Sequence, residues 1–269
     1  MSNYKALSIA IGATFLSTLA TGANAATFYV STGDNQVGTI DDTTGIYTKI
    51  LDSPTFADIA LDTSNNLFGV DFGGLYSIDV NNSSTTLIGL LGSFLNALGF
   101  SDDNKLYGAG ASGFYSVDVN TGKASLISTI SGFSSSGDIV FDAANNVFWA
   151  TSSGDSLWSI TKDGVGTFVG NIGFHQVFGV SFGDDGTLYG YTGDHRQVAI
   201  DTATGSGQYI RTIAGLTGGI WGAASDPEAK STPNNPEPPT KTVPEPTTML
   251  GMVTFGAFLL RAKSRRRQA

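Results

Sequence analysis

Asn65-Asn66-Leu67-Phe68-Gly69 is the stretch that decides the fold, because the chain repeats its pattern. Related stretches are Asn104-Lys105-Leu106-Tyr107-Gly108, Asn145-Asn146-Val147-Phe148-Trp149 and Gly186-Thr187-Leu188-Tyr189-Gly190, with a degenerate copy at Ala26-Thr27-Phe28-Tyr29-Val30. The aromatic residues of successive copies, from Tyr29 to Tyr189, are separated by 39, 39, 41 and 41 residues. Repeats of about 40 residues are typical of propeller blades and helical arrays.

The composition favours short strands over helices. The chain has 269 residues, of which 35 are glycine and only 14% are charged, and it is rich in aromatic and β-branched residues. Such a composition favours strands joined by tight turns. Because the chain contains no cysteine, it has no disulfides, no thiolate metal sites and no cysteine nucleophile.

Each repeat contains four short strands separated by turn residues. In the second repeat, the predicted strands are 56–61, 66–70, 75–80 and 85–90, and Asp, Asn, Ser and Gly residues fill the gaps. The first copy lacks its first strand, whereas residues 219–224 form a surplus first strand at the other end. The sequence therefore predicts an all-β fold, a five-bladed β-propeller of four-stranded antiparallel blades, closed by the C-terminal strand completing the first blade.

The charge of the repetitive region is strongly acidic. Residues 26–225 contain nineteen aspartates and six basic side chains, which leaves a net charge of −13. Such a surface repels phosphates, so nucleic acid is not an expected partner. Most of these aspartates are predicted to stabilise turns. Asp41, Asp79, Asp118 and Asp201, for example, each end a third strand and start the next hairpin.

Residues 1–25 are predicted to be a secretory signal peptide. They contain an early cation, Lys5, then an apolar run, and they end on Ala23-Asn24-Ala25, in which Ala23 and Ala25 match the pattern for signal cleavage. The repetitive domain is therefore predicted to span residues 26–225. A retained membrane helix is the weaker alternative, because the apolar run is short and contains serine, glycine and threonine.

The C-terminal part of the chain has the composition of an address rather than of a folded domain. Residues 226–242 are rich in proline and lack aromatics, which predicts an extended linker. Residues 243–269 contain Pro244, Glu245 and Pro246, an apolar stretch at 249–260, and an arginine-rich end that includes Arg265, Arg266 and Arg267. Twelve apolar residues span about 18 Å as a helix, which is short of the ~30 Å of bilayer hydrocarbon, so the stretch is a marginal anchor.

This three-part tail resembles the PEP-CTERM protein-sorting signal of Gram-negative bacteria. The resemblance implies export by the secretion machinery, transient anchoring in the inner membrane, recognition by an exosortase, and delivery to the cell surface or extracellular matrix. In that family, such tails accompany unrelated passenger domains, often in species that make exopolysaccharide. The tail therefore predicts where the domain goes and leaves its chemistry open.

The candidate ligand-binding residues are those that interrupt the repeat. Asp58 and Asp138 lie on the small-residue face of the predicted first strands, which is expected to point to the central axis near its mouth. The loops on the same face carry further polar residues, namely Asn96, His175, Gln176, Asp194, His195 and Arg196.

Two classes of function are compatible with these residues. We favour a non-enzymatic protein of the cell envelope or matrix whose loops bind a carbohydrate or a surface protein, with no cofactor. The alternative is a hydrolase at the channel mouth, either a glycosidase that uses Asp58 and Asp138 or a calcium-dependent lactonase in which Asn96 adds a ligand. A binding protein predicts a mouth of aromatics, Asn and Asp without a tight charged cluster. An enzyme predicts that Asp58 and Asp138 lie within a few Å, one with a shifted pKa.

Overall fold

The structure, a computed structural model, describes residues 27–225 of the chain. These residues form five antiparallel sheets of four strands each. The predicted signal peptide, proline-rich linker and sorting tail lie outside the described residues. The described part contains no helix of the length and apolarity that a membrane crossing needs.

The strands follow one another in five blades. Blade 1 contains β1 (Thr27–Thr32), β2 (Gln36–Asp41), β3 (Tyr47–Asp52) and the last strand of the domain. Blade 2 contains β4 (Asp58–Leu61), β5 (Leu67–Val70), β6 (Phe72–Asp79) and β7 (Ser84–Leu95). Blade 3 contains β8 (Ala97–Phe100), β9 (Leu106–Gly110), β10 (Gly113–Val117) and β11 (Ala124–Thr129). Blade 4 contains β12 (Ser135–Asp142), β13 (Val147–Ser152), β14 (Ser156–Thr161) and β15 (Gly166–Asn171). Blade 5 contains β16 (Val177–Phe182), β17 (Leu188–Thr192), β18 (Arg196–Ile200) and β19 (Gly207–Thr212), and β20 (Ile220–Ser225) follows it.

The ring closes through the strand that the sequence shows as surplus. The first sheet has the order β20-β1-β2-β3, so that the C-terminal strand supplies the missing innermost strand of blade 1. Its register pairs Phe28 with Ser225 and Val30 with Ala223. The predicted five-bladed propeller with this closure is confirmed.

The hydrophobic core is divided into five clusters, each shared by two neighbouring blades. The aromatics of the repeated stretch lie in these interfaces. The ring of Phe68 in blade 2 is centred 5.3 Å from that of Phe100 in blade 3. Tyr107 in blade 3 is likewise 5.0 Å from Phe148 in blade 4. The repeated aromatic is therefore a packing residue that joins adjacent sheets.

The first residue of the repeated stretch ends a tight turn in the left-handed conformation. Asn65, Asn104 and Gly186 have φ values of 64°, 57° and 75°. Asparagine and glycine tolerate this conformation better than other residues. In blade 4 the left-handed residue is Asn146, one position later in the stretch, because β12 extends to Asp142 and shortens the turn. The repeat thus encodes a turn followed by the second strand of a blade.

Blade 2 departs from the predicted strand boundaries. The prediction places its third and fourth strands at 75–80 and 85–90, whereas β6 begins at Phe72 and β7 continues to Leu95. Register shifts in β6 and the left-handed Gly92 in β7 accommodate the longer hairpin, which pairs Phe72 with Leu95. As a result, residues predicted to lie in a turn instead extend the sheet toward the channel mouth.

The inner strands present both faces to neighbouring blades. In β4, Ile59 packs in the cluster between blades 1 and 2, and Ala60 packs in the cluster between blades 2 and 3. The small-residue face was predicted to point to the central axis. In the structure it covers the next blade. The free edge of each inner strand, with its backbone amides, borders the axis instead.

Candidate binding site at the channel mouth

Asp58 and Asp138 meet at the axis and are completely enclosed. Their side chains are 0% and 1% exposed. Asp58 begins the inner strand β4 and Asp138 lies within the inner strand β12, and each carboxyl extends toward the next blade. A hydrogen bond joins the two carboxyls, which requires a proton shared between them.

The two carboxylates bind amides from the free edges of the inner strands. Asp58 accepts from the amide of Ile59 at 2.8 Å and from that of Leu98 at 2.6 Å. Oδ2 of Asp138 accepts from Val180 at 2.7 Å and from Ala223 at 3.1 Å. The donors belong to blades 2, 3, 5 and 1, and Asp138 itself belongs to blade 4. The pair therefore ties all five blades together at the axis.

The environment of Asp138 favours its neutral form. Burial raises the pKa of this carboxyl well above its usual range, and the charge of Asp58 raises it further, although the two backbone amides act in the opposite direction. A carboxyl pair that shares one proton carries a single negative charge. That charge is stabilised by the backbone amides, because both side chains are buried.

A cavity of about 250 Å³ lies next to this pair, on the side of the channel mouth. Its lining includes Ala57 and Gly137, which directly precede Asp58 and Asp138 in the chain. Trp221 also lines it and precedes Gly222, where an added Cβ would lie 2.3 Å from Oδ1 of Asp58. The carboxyl pair is therefore set directly beneath the cavity, which we call the mouth pocket.

Three aromatic rings, those of Phe72, Phe178 and Trp221, form walls of the mouth pocket. The rings of Phe72 and Trp221 meet at 64° with their centroids 6.5 Å apart, so that they form a corner. Phe72 is stacked on Phe94, whose side chain is 56% exposed at the rim. The indole of Trp221 lies against Gly33, where any Cβ would come within 2.9 Å of Nε1. These contacts hold the walls in place without a ligand.

The polar lining of the mouth pocket consists of Asn96 and Ser136. Nδ2 of Asn96 donates to the carbonyl of Ser135 at 3.2 Å, and Oγ of Ser136 donates to the carbonyl of Val177 at 3.4 Å. Oδ1 of Asn96 is buried and has no hydrogen-bond partner. Each side chain thus donates to a backbone carbonyl, and Oδ1 of Asn96 is left without a donor.

His175 and Gln176 lie in the loop that leads into β16, on the mouth face but outside the pocket lining. Nδ1 of His175 is 2.6 Å from Oδ2 of Asp155, and the amide of Gln176 donates to Oδ1 of Asp155 at 2.8 Å. The His175 side chain is 95% exposed. Asp155 thereby anchors this loop to the turn between β13 and β14.

Asp194, His195 and Arg196 form the turn between β17 and β18 and its exit. Arg196 pairs with Asp194 at 2.9 Å on the surface. His195 has a left-handed backbone, with φ of 71°. The amide of Gly193, in the same turn, donates to the carbonyl of Gln176 at 2.9 Å. The structure therefore brings the two predicted loops together at the rim, next to the pocket and not in it.

The candidate residues thus separate into three positions. Asp58 and Asp138 lie beneath the pocket, Asn96 lines it, and the other five occupy the rim. The aromatic walls are not among the residues predicted from the sequence, because Phe72 lies in a predicted turn and because Phe178 and Trp221 do not interrupt the repeat with polar side chains. Phe178 and Trp221 could have been found from their positions, because each directly precedes the residue that is equivalent to Asp58 in the inner strand of its own blade.

The hydrogen bonds at the axis do not favour the calcium alternative. The carboxylate oxygens of Asp58 and Asp138 that a calcium ion would bind already accept backbone amides. Calcium needs six to eight oxygen ligands. Within residues 27–225, no group of three or more His, Cys, Asp or Glu side chains is arranged to hold a metal ion.

Comparisons with known proteins agree with the fold. No protein-family model matches the chain, and no curated protein matches it. A chain of a nidogen/laminin complex superposes with a TM-score of 0.54 at 11% identity, over 74% of this chain and 97% of that one. A structural genomics protein of unknown function from Bacteroides thetaiotaomicron superposes with a TM-score of 0.51 at 18% identity, over 72% of this chain and 60% of that one. At these identities the similarity establishes a β-propeller-like repeat domain.

Proposed function

We propose that this protein is an exported, non-enzymatic β-propeller of the cell envelope or its matrix that binds a carbohydrate or a protein ligand at the channel mouth. The observation that carries the proposal is the mouth pocket itself, with three aromatic walls held in place before any ligand arrives. Concave sites lined by aromatics and a few oriented polar groups are the usual form of ligand sites. Aromatic rings contribute a large buried area at low entropic cost.

Export and sorting are supported by the two ends of the chain. The Ala23-Asn24-Ala25 pattern supports secretion. The Pro244-Glu245-Pro246 motif with its apolar stretch and Arg265, Arg266 and Arg267 supports exosortase recognition, transient inner-membrane anchoring, and delivery to the surface or matrix of a Gram-negative bacterium. A partner in that setting would be an extracellular polysaccharide or a surface protein.

Array and pull-down measurements with the full chain test the binding proposal. Wild-type protein is expected to retain a glycan or an envelope protein, and Trp221→Leu is expected to lose at least about ten-fold in affinity, because the indole is a wall of the pocket. The matched control is Phe168→Leu, which removes an aromatic that is 52% exposed on β15. Equal retention by wild type and Trp221→Leu would contradict the proposal.

A hydrolase remains the second candidate because the two axial carboxyls hydrogen-bond and the pKa of Asp138 is raised. An enzyme was predicted to have this arrangement, with the two carboxyls close together and one pKa shifted. We rank it lower because both carboxyls are buried and because backbone amides occupy their oxygens. An acid or nucleophile must reach its substrate. Loss of a measurable hydrolase activity in Asp58→Asn/Asp138→Asn protein would establish this alternative.

A further inference from the structure

The walls of the mouth pocket are aromatic rings. Phe72 and Trp221 meet as a corner, and Phe178 forms a further wall. The face of an aromatic ring carries negative electrostatic potential, which attracts a cation that has lost its water. A corner of rings surrounds a compact cation better than it surrounds a flat neutral ring.

The polar side chains of the pocket direct their donors away from a ligand. None of the described residues that line it is basic. The described donors of Asn96 and Ser136 are directed to backbone carbonyls, and Oδ1 of Asn96 keeps its lone pairs unpaired. The lining therefore adds negative potential and offers little to a ligand that needs several hydrogen bonds.

The carboxyl pair adds a formal charge beneath the floor. Ala57 and Gly137 line the pocket, and the next residues are Asp58 and Asp138. One residue of strand is about 3.3 Å, so the shared negative charge lies within a short distance of the pocket floor. It is buried, so solvent and salt screen it little.

The charged groups at the rim do not offset this field. Arg196 is paired with Asp194, and His175 lies against Asp155. The surrounding domain carries nineteen aspartates against six basic side chains. A field of one sign around a cleft concentrates ligands of the opposite sign.

From these observations, and resting on the proposed binding function, we infer that the mouth pocket binds a compact alkylammonium cation, such as the trimethylammonium group of choline. The aromatic walls surround the methyl groups, and the buried carboxyl pair supplies the opposing charge. No hydrogen bond from the ligand is needed. A phosphocholine-type substituent on a surface glycan and a lipid head group share this chemistry.

Nuclear magnetic resonance of the full chain tests the inference with choline and with its neutral isostere, in which carbon replaces nitrogen. The indole N–H signal of Trp221 is the readout, and those of the buried Trp149 and Trp158 are internal controls. Choline is expected to shift the Trp221 signal alone. The isostere is expected to bind about ten-fold more weakly, because it keeps the shape and loses the cation–π attraction.

Two variants locate the site. Phe178→Leu is expected to weaken choline binding about ten-fold, as read on Trp221. Phe168→Leu, on the outer strand of blade 4, is expected to leave it unchanged. Phosphatidylcholine vesicles form the second arm: retention of the protein assigns a lipid head group, and binding of free choline without retention assigns a soluble or glycan-linked source.

Two results would overturn the inference. If the isostere and choline bind equally, the pocket selects shape and not charge, and the proposed binding function still stands. If choline leaves the Trp221 signal unmoved at concentrations that saturate cation sites, the cation assignment is wrong. The binding proposal is then judged by the array measurement alone.

Discussion

Asp138 connects its own blade to three others through one side chain. Its Oδ2 accepts the amides of Val180 and Ala223, and a hydrogen bond joins its carboxyl to that of Asp58. The inner edge of a propeller blade has no neighbouring strand, so its amides need other partners. The two carboxyls, which share one proton, accept hydrogen bonds from four of these amides.

This role predicts different outcomes for two substitutions of Asp138. Asp138→Ala leaves two buried amides without an acceptor, each costing about 1–3 kcal/mol, and is expected to lower the free energy of unfolding by about 3 kcal/mol. Asp138→Asn keeps an acceptor for the amides and donates from its amide group to Asp58, so at about pH 4, where proton linkage at Asp138 contributes little, it is expected to change stability by less than about 1 kcal/mol. Denaturant unfolding of the two variants checks this, and similar losses in both would contradict it.

The raised pKa of Asp138 predicts how stability depends on pH. A carboxyl whose pKa is higher in the folded state binds more protons there than in the unfolded chain, so stability falls as pH rises from about 4 toward the folded pKa. Exposed turn aspartates such as Asp118, whose pKa is lowered by the amide of Asn120, act in the opposite direction and below that range. Unfolding measured between pH 5 and 8 should show wild type losing stability relative to Asp138→Asn, by up to about 1.4 kcal/mol per pH unit. Parallel profiles would show that Asp138 does not hold the extra proton.

The sequence indicates that Asp58 and Asp138 lie near the axis, since both interrupt a repeated first strand. It does not indicate their partners, because the amides of Leu98, Val180 and Ala223 belong to other blades and reach the axis only after the ring closes. It likewise indicates the role of the hairpin aspartates, whose partners are local. Asp79, for example, accepts the amide of Asn82 at 3.0 Å. Local partners are predictable from spacing, and partners across blades are not.

At the scale of elements, β20 is the strand on which closure depends. Its residues Ile220, Ala223 and Ala224 are fully buried, and it supplies the Ala223 amide to Asp138. Without it, β1 would expose an unpaired inner edge and the core between blades 1 and 5 would open. Such an edge also invites association between chains.

Deleting residues 219–225 is therefore expected to lower the melting temperature sharply or to prevent folding. Deleting residues 243–269 is expected to leave the melting temperature unchanged, because the propeller does not require them. Thermal unfolding followed by circular dichroism compares the two truncations directly. Equal melting temperatures would contradict the closure of the ring by β20.

The boundaries of the hairpin formed by β6 and β7 could not be predicted from the local sequence. Asp71 and the two glycines after Phe72 indicate a turn, and Asp71 does accept the amide of Gly74 at 2.7 Å. The strand nevertheless begins at Phe72, because that residue pairs with Leu95 and stacks on Phe94. These contacts depend on the length of β7, which local propensity does not determine. The same extension places one wall of the mouth pocket.

At the scale of the whole molecule, five similar blades meet at a channel mouth whose residues do not repeat. Their interfaces are filled by apolar side chains, among them the repeated aromatics, in every one of the five clusters. The mouth differs from blade to blade, with Phe178 in β16, Trp221 in β20 and Asn96 before β8. Ligand sites in such scaffolds are expected where the repeat is broken, because the regular positions are occupied by packing.

The central claim is that the mouth pocket binds a ligand, and that the carboxyl pair beneath it joins the blades and supplies a negative charge but does no chemistry on the ligand. Ligand binding by full-length Trp221→Leu and Asp138→Asn tests it most directly. Asp138→Asn keeps the amide contacts and one axial charge, so it is predicted to bind as wild type does, whereas Trp221→Leu is predicted to lose at least about ten-fold in affinity. Retained binding in Trp221→Leu together with loss of binding or of turnover in Asp138→Asn would contradict the claim and place the function in the carboxyl pair.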